Sequence, residues 1–298
     1  MKDIITIVIR LTVACLLAGL VMGTAFVLTS KAKKHNAHQR EQQVMLSLLG
    51  YSDQHPAPAS LAMHEVYRYL VNDQGSQSMG YLLPAGEAPG NHTFVAIDLD
   101  GKFLSQTPVT IDPEKVTEEG ERTAAIQAAV GQAQVLSYAD QTIVVTQEGK
   151  RVSYLLPGKF PGFKTFITVI LALDQQLTIR GLEVMEHEED PGLGGEIVQS
   201  YFKNQFKGKS VERLQTIDVV KTPLPEEYRQ VLESEQVGAA QVATIEAQYR
   251  DKDIYALTGA TISSRAVTNG VKGIAQKFAY RLGILDRVLG EQRIVVPF

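Results

Sequence analysis

The pattern of hydrophobic and polar residues first separates an apolar N-terminal segment from the rest of the chain. Residues 11–30 (LTVACLLAGLVMGTAFVLTS) carry no charge, and a helix of that length, rising ~1.5 Å per residue, matches the ~30 Å hydrocarbon core of a bilayer. The sequence therefore predicts a transmembrane anchor within residues 1–30. Polar residues with spaced apolar positions follow and predict a juxtamembrane helix and linker over residues 31–60, broken by Pro56 and Pro58.

A cleaved signal peptide is the alternative interpretation of the apolar segment. Such peptides have an apolar region of only about 7 to 15 residues, whereas this run is longer and is followed by Lys31, Lys33 and Lys34. Lipoprotein cleavage before Cys15 is also disfavoured, because the apolar run continues past it. We therefore expect a retained anchor, and the basic residues after the span, counted alone, predict a cytoplasmic position for the rest of the chain.

The remainder predicts an α+β domain with two β-rich halves, residues 61–140 and 141–298. The sequence Tyr-Leu-Leu-Pro of residues 81–84 returns at 154–157. Each copy follows a candidate hairpin and precedes an apolar strand that ends at an acidic residue. This shared context favours a degenerate duplication. An Ala-rich stretch with turn-spaced apolar residues, 118–135, predicts a helix between the halves.

The second half contains a run of elements around a glycine-rich loop. Residues 166–173 predict a central strand covered on both faces, and 177–185 predict a second strand. Residues 190–195 (DPGLGG) follow, and their three glycines and one proline demand a special backbone path that can present bare amides to a ligand. Beyond the loop, 196–206 predict a helix and 221–250 an exposed excursion.

His187 and Glu189, just before this loop, are candidate metal ligands. Within a strand they share one side, whereas Glu188 faces the other. One histidine with scattered carboxylates, and no second His or Cys at ligand spacing, is a weak metal signal. We expect a solvated acidic edge here instead.

The last motif precedes a long amphipathic helix. Apolar residues recur at intervals of three and four from Val267 and predict a helix from about Ile262 to Gly283. The unpaired N–H groups and the positive dipole end of such a helix favour an anion, above all a phosphate. The simpler alternative is that Thr258 or Thr261 is an ordinary N-cap.

Composition narrows the classes of function. With 29 basic and 33 acidic residues the formal charge is −4, which argues against a nucleic-acid partner. The single cysteine excludes an internal disulfide or a cysteine-ligated cluster held by this chain alone. No catalytic triad or carboxylate pair stands out, and a threonine hydroxyl without a base beside it is a poor nucleophile.

Taken together, the two motifs resemble the family of periplasmic domains that bind FMN covalently. Residues 258–264 (TGATISS) are similar to the Ser/Thr-Gly-Ala-Thr signature whose final threonine carries FMN through a phosphoester. Residues 190–194 (DPGLG) are similar to the Thr-Pro-Gly-Leu-Gly loop of the same family. With an anchor that opens Arg-Leu-Thr-Val, the chain most resembles the G subunit of Rnf-type electron transport complexes. The C subunit of Na⁺-translocating NADH:quinone oxidoreductases is the next match.

The resemblance implies a cofactor site, partners and a location. The residues that it implies in FMN binding are Thr261, which would carry the phosphoester, and Thr258, Gly259, Ala260, Ser263, Ser264, Leu193 and Gly194. It also implies attachment by an ApbE-type flavin transferase and an electron-relay role beside the other subunits of an Rnf-type complex. The flavin domain would lie on the periplasmic side of the cytoplasmic membrane, against the charge count.

The chain departs from the family pattern at three places. Tyr255 stands six residues before the motif's last threonine, where members commonly have Asp, and Asp253 lies two residues earlier. Asp190 replaces the usual threonine of the loop, and Thr165 occupies the place of a second corner glycine. The alternative function is an anchored binding or scaffold domain in which Thr261 stays unmodified.

Overall fold

The computed structural model describes residues 2–86, 88–233 and 238–298, and the chain divides into two units, residues 1–54 and 55–298. The first unit contains one continuous helix, α1 (Lys2–Leu48). Its segment Ile4–Ser30 is long and apolar enough to cross a membrane. Large apolar side chains of this segment are exposed, as a lipid-facing helix requires. The helix runs past the apolar segment, which confirms the predicted extension.

The second unit is built on an antiparallel sheet of eight strands. They are β1 (Leu61–Asp73), β2 (Ser76–Pro84), β3 (Asn91–Asp98), β4 (Phe103–Thr110), β5 (Gln134–Gln147), β6 (Lys150–Pro161), β7 (Phe166–Asp174) and β8 (Ile179–Glu186). The order across the sheet is β4-β3-β2-β1-β5-β6-β7-β8. Two four-stranded meanders therefore meet where β1 pairs with β5. The Tyr-Leu-Leu-Pro copies lie on β2 and β6, at equivalent places in the two meanders, while their origin by duplication stays a prediction.

Helices cover the sheet and link its strands. They are α2 (Glu119–Val130), α3 (Ser200–Lys203), α4 (Val211–Thr216), α5 (Glu226–Leu232), α6 (Ala239–Tyr249) and α7 (Thr261–Gln292), and a separate parallel pair is formed by β9 (Val219–Val220) and β10 (Ile254–Tyr255). Successive residues of a strand face opposite sides of the sheet. Thus Val66 packs in the core that contains α7, and Tyr67 packs in the core that contains Ile126 of α2.

The long helix α7 is tied to both meanders. Its apolar face, including Val271 and Phe278, is buried in the larger core. Arg151 of β6 pairs with Asp286 of α7 at 2.7 Å, and Arg287 donates to the carbonyl oxygen of Gly101 in the first meander at 2.9 Å. Because α7 holds both halves, the geometry of its first turn is fixed by the whole domain.

Two predicted helix boundaries are wrong. The helix predicted to reach residue 135 ends at Val130, because the chain from Gln134 pairs with β1. Conversely, α7 continues past Gly283 to Gln292, since Leu285 and Leu289 go on burying the same face. A glycine in a helix costs only about 1 kcal/mol relative to alanine, which burial of these leucines offsets.

The segment predicted as one helix over residues 196–206 is broken into shorter turns. A 3₁₀ turn (Gly194–Val198) precedes α3, and a second 3₁₀ turn (Asn204–Phe206) follows it. The buried side chains are Ile197, Phe202 and Phe206, whose spacing does not follow the 3.6-residue period of a straight helix.

The exposed excursion predicted over residues 221–250 is also wrong. Helices α5 and α6 pack on each other around a small cluster of their own. At its centre the rings of Tyr228 and Tyr249 stack with centroids 4.2 Å apart. The polar residues on the outer faces of the two helices include the exposed Glu226, Glu227, Gln241, Glu246 and Gln248.

Two buried threonines allow a matched stability test of the sheet. Within the described part of the chain, the hydroxyl of Thr93 is buried without a hydrogen-bond partner, whereas that of Thr146 lies 3.0 Å from Nε2 of His64. We expect Thr93→Val to raise the free energy of unfolding by about 1 kcal/mol and Thr146→Val to lower it by about 1 kcal/mol. Urea denaturation of the full chain measures both, and changes of the same sign would contradict the assignment.

Candidate functional site

The glycine-rich loop after β8 closes on its own first residue. The backbone N–H groups of Leu193 and Gly195 both donate to the carbonyl oxygen of Asp190, at 3.1 and 2.8 Å. Gly192 has φ +72°, a conformation that favours glycine. The Asp190 carboxylate forms an ion pair with Lys164, and Leu193 remains 47% exposed. The loop thus presents one apolar side chain to solvent on a fixed backbone.

The threonine motif is folded back over the first turn of α7 by Ser264. The N–H of Leu257 donates to Oγ of Ser264 at 3.0 Å, and this hydroxyl donates to the carbonyl oxygen of Ala260 at 2.9 Å. Gly259 has φ +76°, and a Cβ added there would lie 3.0 Å from Cδ2 of Leu193. The two motifs are therefore in contact, as the resemblance implies.

Lys209 anchors the chain that leads to this motif. Its Nζ donates to the carbonyl oxygens of Arg250 and Lys252, at 2.7 and 2.8 Å, just after α6 ends. Burial, with a smaller contribution from Arg213, lowers the pKa of Lys209 to about 8. Lys209 is 1% exposed. Its hydrogen bonds hold the backbone just before β10 and thereby position the chain that enters the threonine motif.

The carboxylate of Glu189 joins three segments at the start of α7. Its Oε1 accepts the backbone N–H groups of Phe163 and Lys164, at 2.8 and 3.3 Å. Its Oε2 accepts the hydroxyl of Ser263. A Cβ added to Gly194 would lie 2.5 Å from Oγ of Ser263 and 2.9 Å from Oε2 of Glu189, so the loop approaches α7 closely only because this position is glycine.

The predicted solvated acidic edge is wrong at Glu189, although Glu186 and Glu188 beside it are exposed. Glu189 is 4% exposed, and its N–H donates to Nδ1 of His187 at 3.2 Å. Buried carboxylates require hydrogen-bond donors, and these come from distant segments that a strand pattern does not reveal. Across the described residues, no group of three or more His, Cys, Asp and Glu side chains is arranged to hold a metal ion.

Thr261 is the first residue of α7 and does not cap it. Ala260 occupies the N-cap position and makes no side-chain cap bond, so the N-cap alternative for Thr258 or Thr261 is wrong. The hydroxyl of Thr261 has no hydrogen-bond partner among the residues that the structure describes. It is half-buried, next to the exposed Thr258 and Gly259. The N–H groups of a first helical turn lack intrahelical acceptors, so an oxyanion bonded to this hydroxyl would meet donors.

The predicted binding residues divide into two groups. Thr258, Gly259 and Leu193 are exposed beside Thr261 and are open to a ligand. The hydroxyls of Ser263 and Ser264 are instead buried and bonded to the protein. Their side chains shape the site. The N–H of Ser264 donates to the carbonyl oxygen of Ala260 at 3.1 Å, so of the two backbone amides only that of Ser263 remains for a phosphate.

Sequence reasoning missed two further apolar side chains at this end of α7. Ile262, next to Thr261, is 61% exposed, and Phe163, at the corner held by Glu189, is 55% exposed. Exposed large apolar side chains grouped around a polar motif are typical of ligand or partner contact. The sequence offered a signal for Ile262, which lies within the threonine motif, but none for Phe163, which precedes the glycine-rich loop by 27 residues.

Tyr255, which replaces the family's usual Asp, belongs to the tyrosine cluster of α5 and α6. Its N–H donates to Oε1 of Gln205 at 2.8 Å. Burial raises the pKa of Tyr255, so its phenol is neutral and supplies no negative charge. Asp253 is engaged elsewhere, since it accepts bonds from Arg213 and the N–H of Asp218 at 2.9 and 3.1 Å. Neither Tyr255 nor Asp253 therefore replaces the carboxylate that family members commonly have at the position of Tyr255.

Comparison with known proteins places these motifs in one matched segment. Residues 162–276 match the family model described as FMN-binding domain, and this range includes both the loop and the threonine motif. The match confirms the resemblance drawn from the two motifs.

Two curated relatives match the chain in part. The G subunit of the proton-translocating ferredoxin:NAD(+) oxidoreductase complex of Clostridium ljungdahlii is 27% identical over 123 residues, which cover 41% of this chain and 51% of that protein. The C subunit of the Na(+)-translocating NADH-quinone reductase of Yersinia pestis is 30% identical over 113 residues, covering 37% and 42% respectively. The chain thus spans about half the length of these relatives. The crystal structure of Shewanella oneidensis NqrC aligns over 59% of this chain and 74% of that one, with a TM-score of 0.37 and 22% identity.

Because Glu189 links the β6–β7 corner to α7 through Ser263, we expect two small substitutions to change the free energy of unfolding by unequal amounts. Ser263→Ala removes a hydroxyl that donates to a buried carboxylate, so we expect a loss of about 2 kcal/mol in the free energy of unfolding. Thr258→Ala, at an exposed site with no hydrogen bond in the described residues, is the matched control and should change it by less than about 0.5 kcal/mol. Urea denaturation compares them, and equal losses would show that Glu189 does not hold the site together.

Proposed function

We propose that this chain carries FMN in a phosphoester to Thr261 and acts as an electron-relay subunit of a membrane-bound, Rnf-type ion-translocating complex. One observation carries the proposal: the glycine-rich loop and the threonine motif meet at the start of α7, within the segment that matches the FMN-binding domain model. The curated relatives, which are subunits of two ion-translocating oxidoreductases, support the same class of function.

The residues at the start of α7 fit a phosphate. Thr261 offers a hydroxyl without a partner in the described structure, and Gly259 leaves the neighbouring backbone bare at a conformation other residues avoid. The first-turn amides and the positive end of the helix dipole favour the negative charge. Leu193 and Ile262 supply exposed apolar surface for an aromatic ring.

FMN, when bound, supplies the electron transfer, and the protein determines its position and environment. This chain's part is to hold the attachment point rigidly and to cover part of the ring with apolar groups. Glu189 performs the first task through bonds to Phe163, Lys164 and Ser263. No acid or base is needed for such a relay, in agreement with the lack of a recognisable catalytic pair in the sequence.

The surroundings of Thr261 favour attachment of FMN by a separate enzyme. A threonine hydroxyl needs a base to become a nucleophile. The nearby carboxylate of Glu189 has both oxygens bonded to other donors. We therefore infer that an ApbE-type flavin transferase makes the phosphoester, and that the exposed Thr258 and Gly259 give it access to Thr261.

The choice of an Rnf-type complex rests on the anchor sequence that opens Arg-Leu-Thr-Val at residue 10. The two curated relatives match at similar identity, 27% and 30%, so a role as the C subunit of a Na⁺-translocating NADH:quinone oxidoreductase is the second candidate. Purification of the native complex distinguishes them. Recovery with ferredoxin:NAD oxidoreductase subunits supports the first candidate, and recovery with quinone-reducing subunits supports the second.

Substitution of the threonines tests the attachment point. Thr261→Ala is expected to abolish flavin fluorescence of the denatured protein band when the chain is expressed with its transferase, because no other motif hydroxyl is placed as the first residue of α7. Thr258→Ala, the matched control on the same exposed turn, should keep it. Fluorescence retained by Thr261→Ala would reject the proposed site.

Orientation in the membrane gives a further prediction. We expect the second unit to lie on the periplasmic side, as the family resemblance implies. The positive charge after the span does not decide against this, because long domains cross the membrane largely regardless of nearby charge. An alkaline phosphatase fusion at residue 60, in the linker before β1, is therefore expected to be active, whereas a cytoplasmic reporter at the same place should be silent. The reverse pattern would place the flavin domain in the cytoplasm.

A further inference from the structure

A partly open cleft lies between α7 and the sheet, and its lining on α7 begins at Ala266, five residues after Thr261. Its volume is about 1060 Å³, and its walls come from β1, β5, β6 and the stretch of α7 from Ala266 to Leu285. Small-molecule sites usually enclose about 300–1,000 Å³. The cleft is therefore large enough to hold a ligand beyond the flavin.

The cleft carries an excess of positive charge in an otherwise acidic chain. Its charged lining residues are Arg68, Arg122, Lys159, Lys277, Arg281, Glu119 and Asp140. Arg68 is paired with Asp140, and the buried Arg122 donates to Tyr69 and to the carbonyl oxygen of Val116. Lys159, Lys277 and Arg281 against Glu119 therefore carry the local positive excess, whereas the whole chain has a formal charge of −4. Such a local excess favours an anionic ligand.

Two of these cations keep donors available. Arg281 donates through Nη1 to Asp140 at 2.9 Å, and its remaining N–H groups have no acceptor among the described residues. Asp140 is already bound on both oxygens by Arg68, at 2.8 and 2.5 Å. Lys277, one turn before Arg281 on α7, is exposed and has no ion-pair partner in the described structure. Two cationic side chains one turn apart on one helix face can together bind a phosphate or carboxylate.

The floor of the cleft is apolar. It is formed by Leu156 and Phe160 from β6 together with Ile274 and Phe278 from α7. Gly273 lies on the α7 wall, and a Cβ added there would meet no atom within 4 Å, so the helix leaves open space at this point. A ligand that fits must therefore combine an apolar body with a negative group.

We propose that this cleft binds a small amphipathic anion, whose apolar body lies on Phe160 and Phe278 and whose phosphate or carboxylate is held by Lys277 and Arg281. Lys277 and Arg281 follow Thr261 by sixteen and twenty residues along α7, so the residues that would hold the anion are not those proposed to hold the flavin phosphate. A soluble aromatic phosphate and an alkyl phosphate of lipid origin share this chemistry, and the experiment distinguishes them.

Calorimetric titration of the full chain, in a neutral detergent, with 1-naphthyl phosphate tests the site. We expect saturable 1:1 binding, with binding at least about tenfold weaker for inorganic phosphate and for neutral 1-naphthol, because each offers half of the required chemistry. Hexyl phosphate is the second arm. Tighter binding of hexyl phosphate than of 1-naphthyl phosphate would indicate a lipid source, and the reverse a soluble aromatic ligand.

Two glycines on α7 provide a matched pair of variants. Gly273→Leu fills the open space of the cleft and is expected to raise the Kd for 1-naphthyl phosphate at least about tenfold. Gly283→Leu, also without an atom within 4 Å but outside the cleft, should leave the Kd unchanged. Neither is expected to prevent folding, since leucine is the better helix former. Lys277→Gln should weaken binding several-fold. Non-saturable binding, or equal Kd values for the two leucine variants, would overturn the proposal.

Discussion

The buried carboxylate of Glu189 joins three segments that are far apart in the sequence, and the candidate flavin site depends on this connection. Burial of a charge is costly unless donors surround it. Here two backbone N–H groups of the β6–β7 corner and the hydroxyl of Ser263 supply them. None of these donors is a first-turn N–H group of α7, so those amides are not used by Glu189 and remain for a second negative group, which we propose to be the FMN phosphate.

Helix α7 transmits this local order to the rest of the domain. Its first turn holds the threonine motif, its middle forms one wall of the cationic cleft, and its last turns are tied to both meanders through Asp286 and Arg287. A helix fixed at so many points resists tilting. The proposed flavin attachment point and the cleft are thereby held by one rigid element, although they lie on different stretches of it.

The features that the sequence predicted well are those determined by local pattern. A charge-free run predicted the candidate span, and a continuous apolar run predicted β7. The resemblance carried by two short motifs assigned the loop and the threonine to one site, and the structure brings them together. Features determined by distant partners were missed. The burial of Glu189 requires donors from residues 163 and 263, and the packing of α5 on α6 requires the stacked rings of Tyr228 and Tyr249. The cationic cleft likewise needs α7 and the sheet together, which no single segment reveals.

The central claim is that Thr261 is the residue that bears the flavin. Trypsin cleavage after Lys252 and Arg265 releases one peptide, residues 253–265, that contains all four hydroxyls of the motif: Thr258, Thr261, Ser263 and Ser264. Fragmentation of this peptide by mass spectrometry, from protein made with its transferase, is the most direct test. We expect a mass increase equal to FMN less one water, located on Thr261. An unmodified peptide, or FMN located on any of the other three hydroxyls, would contradict this claim.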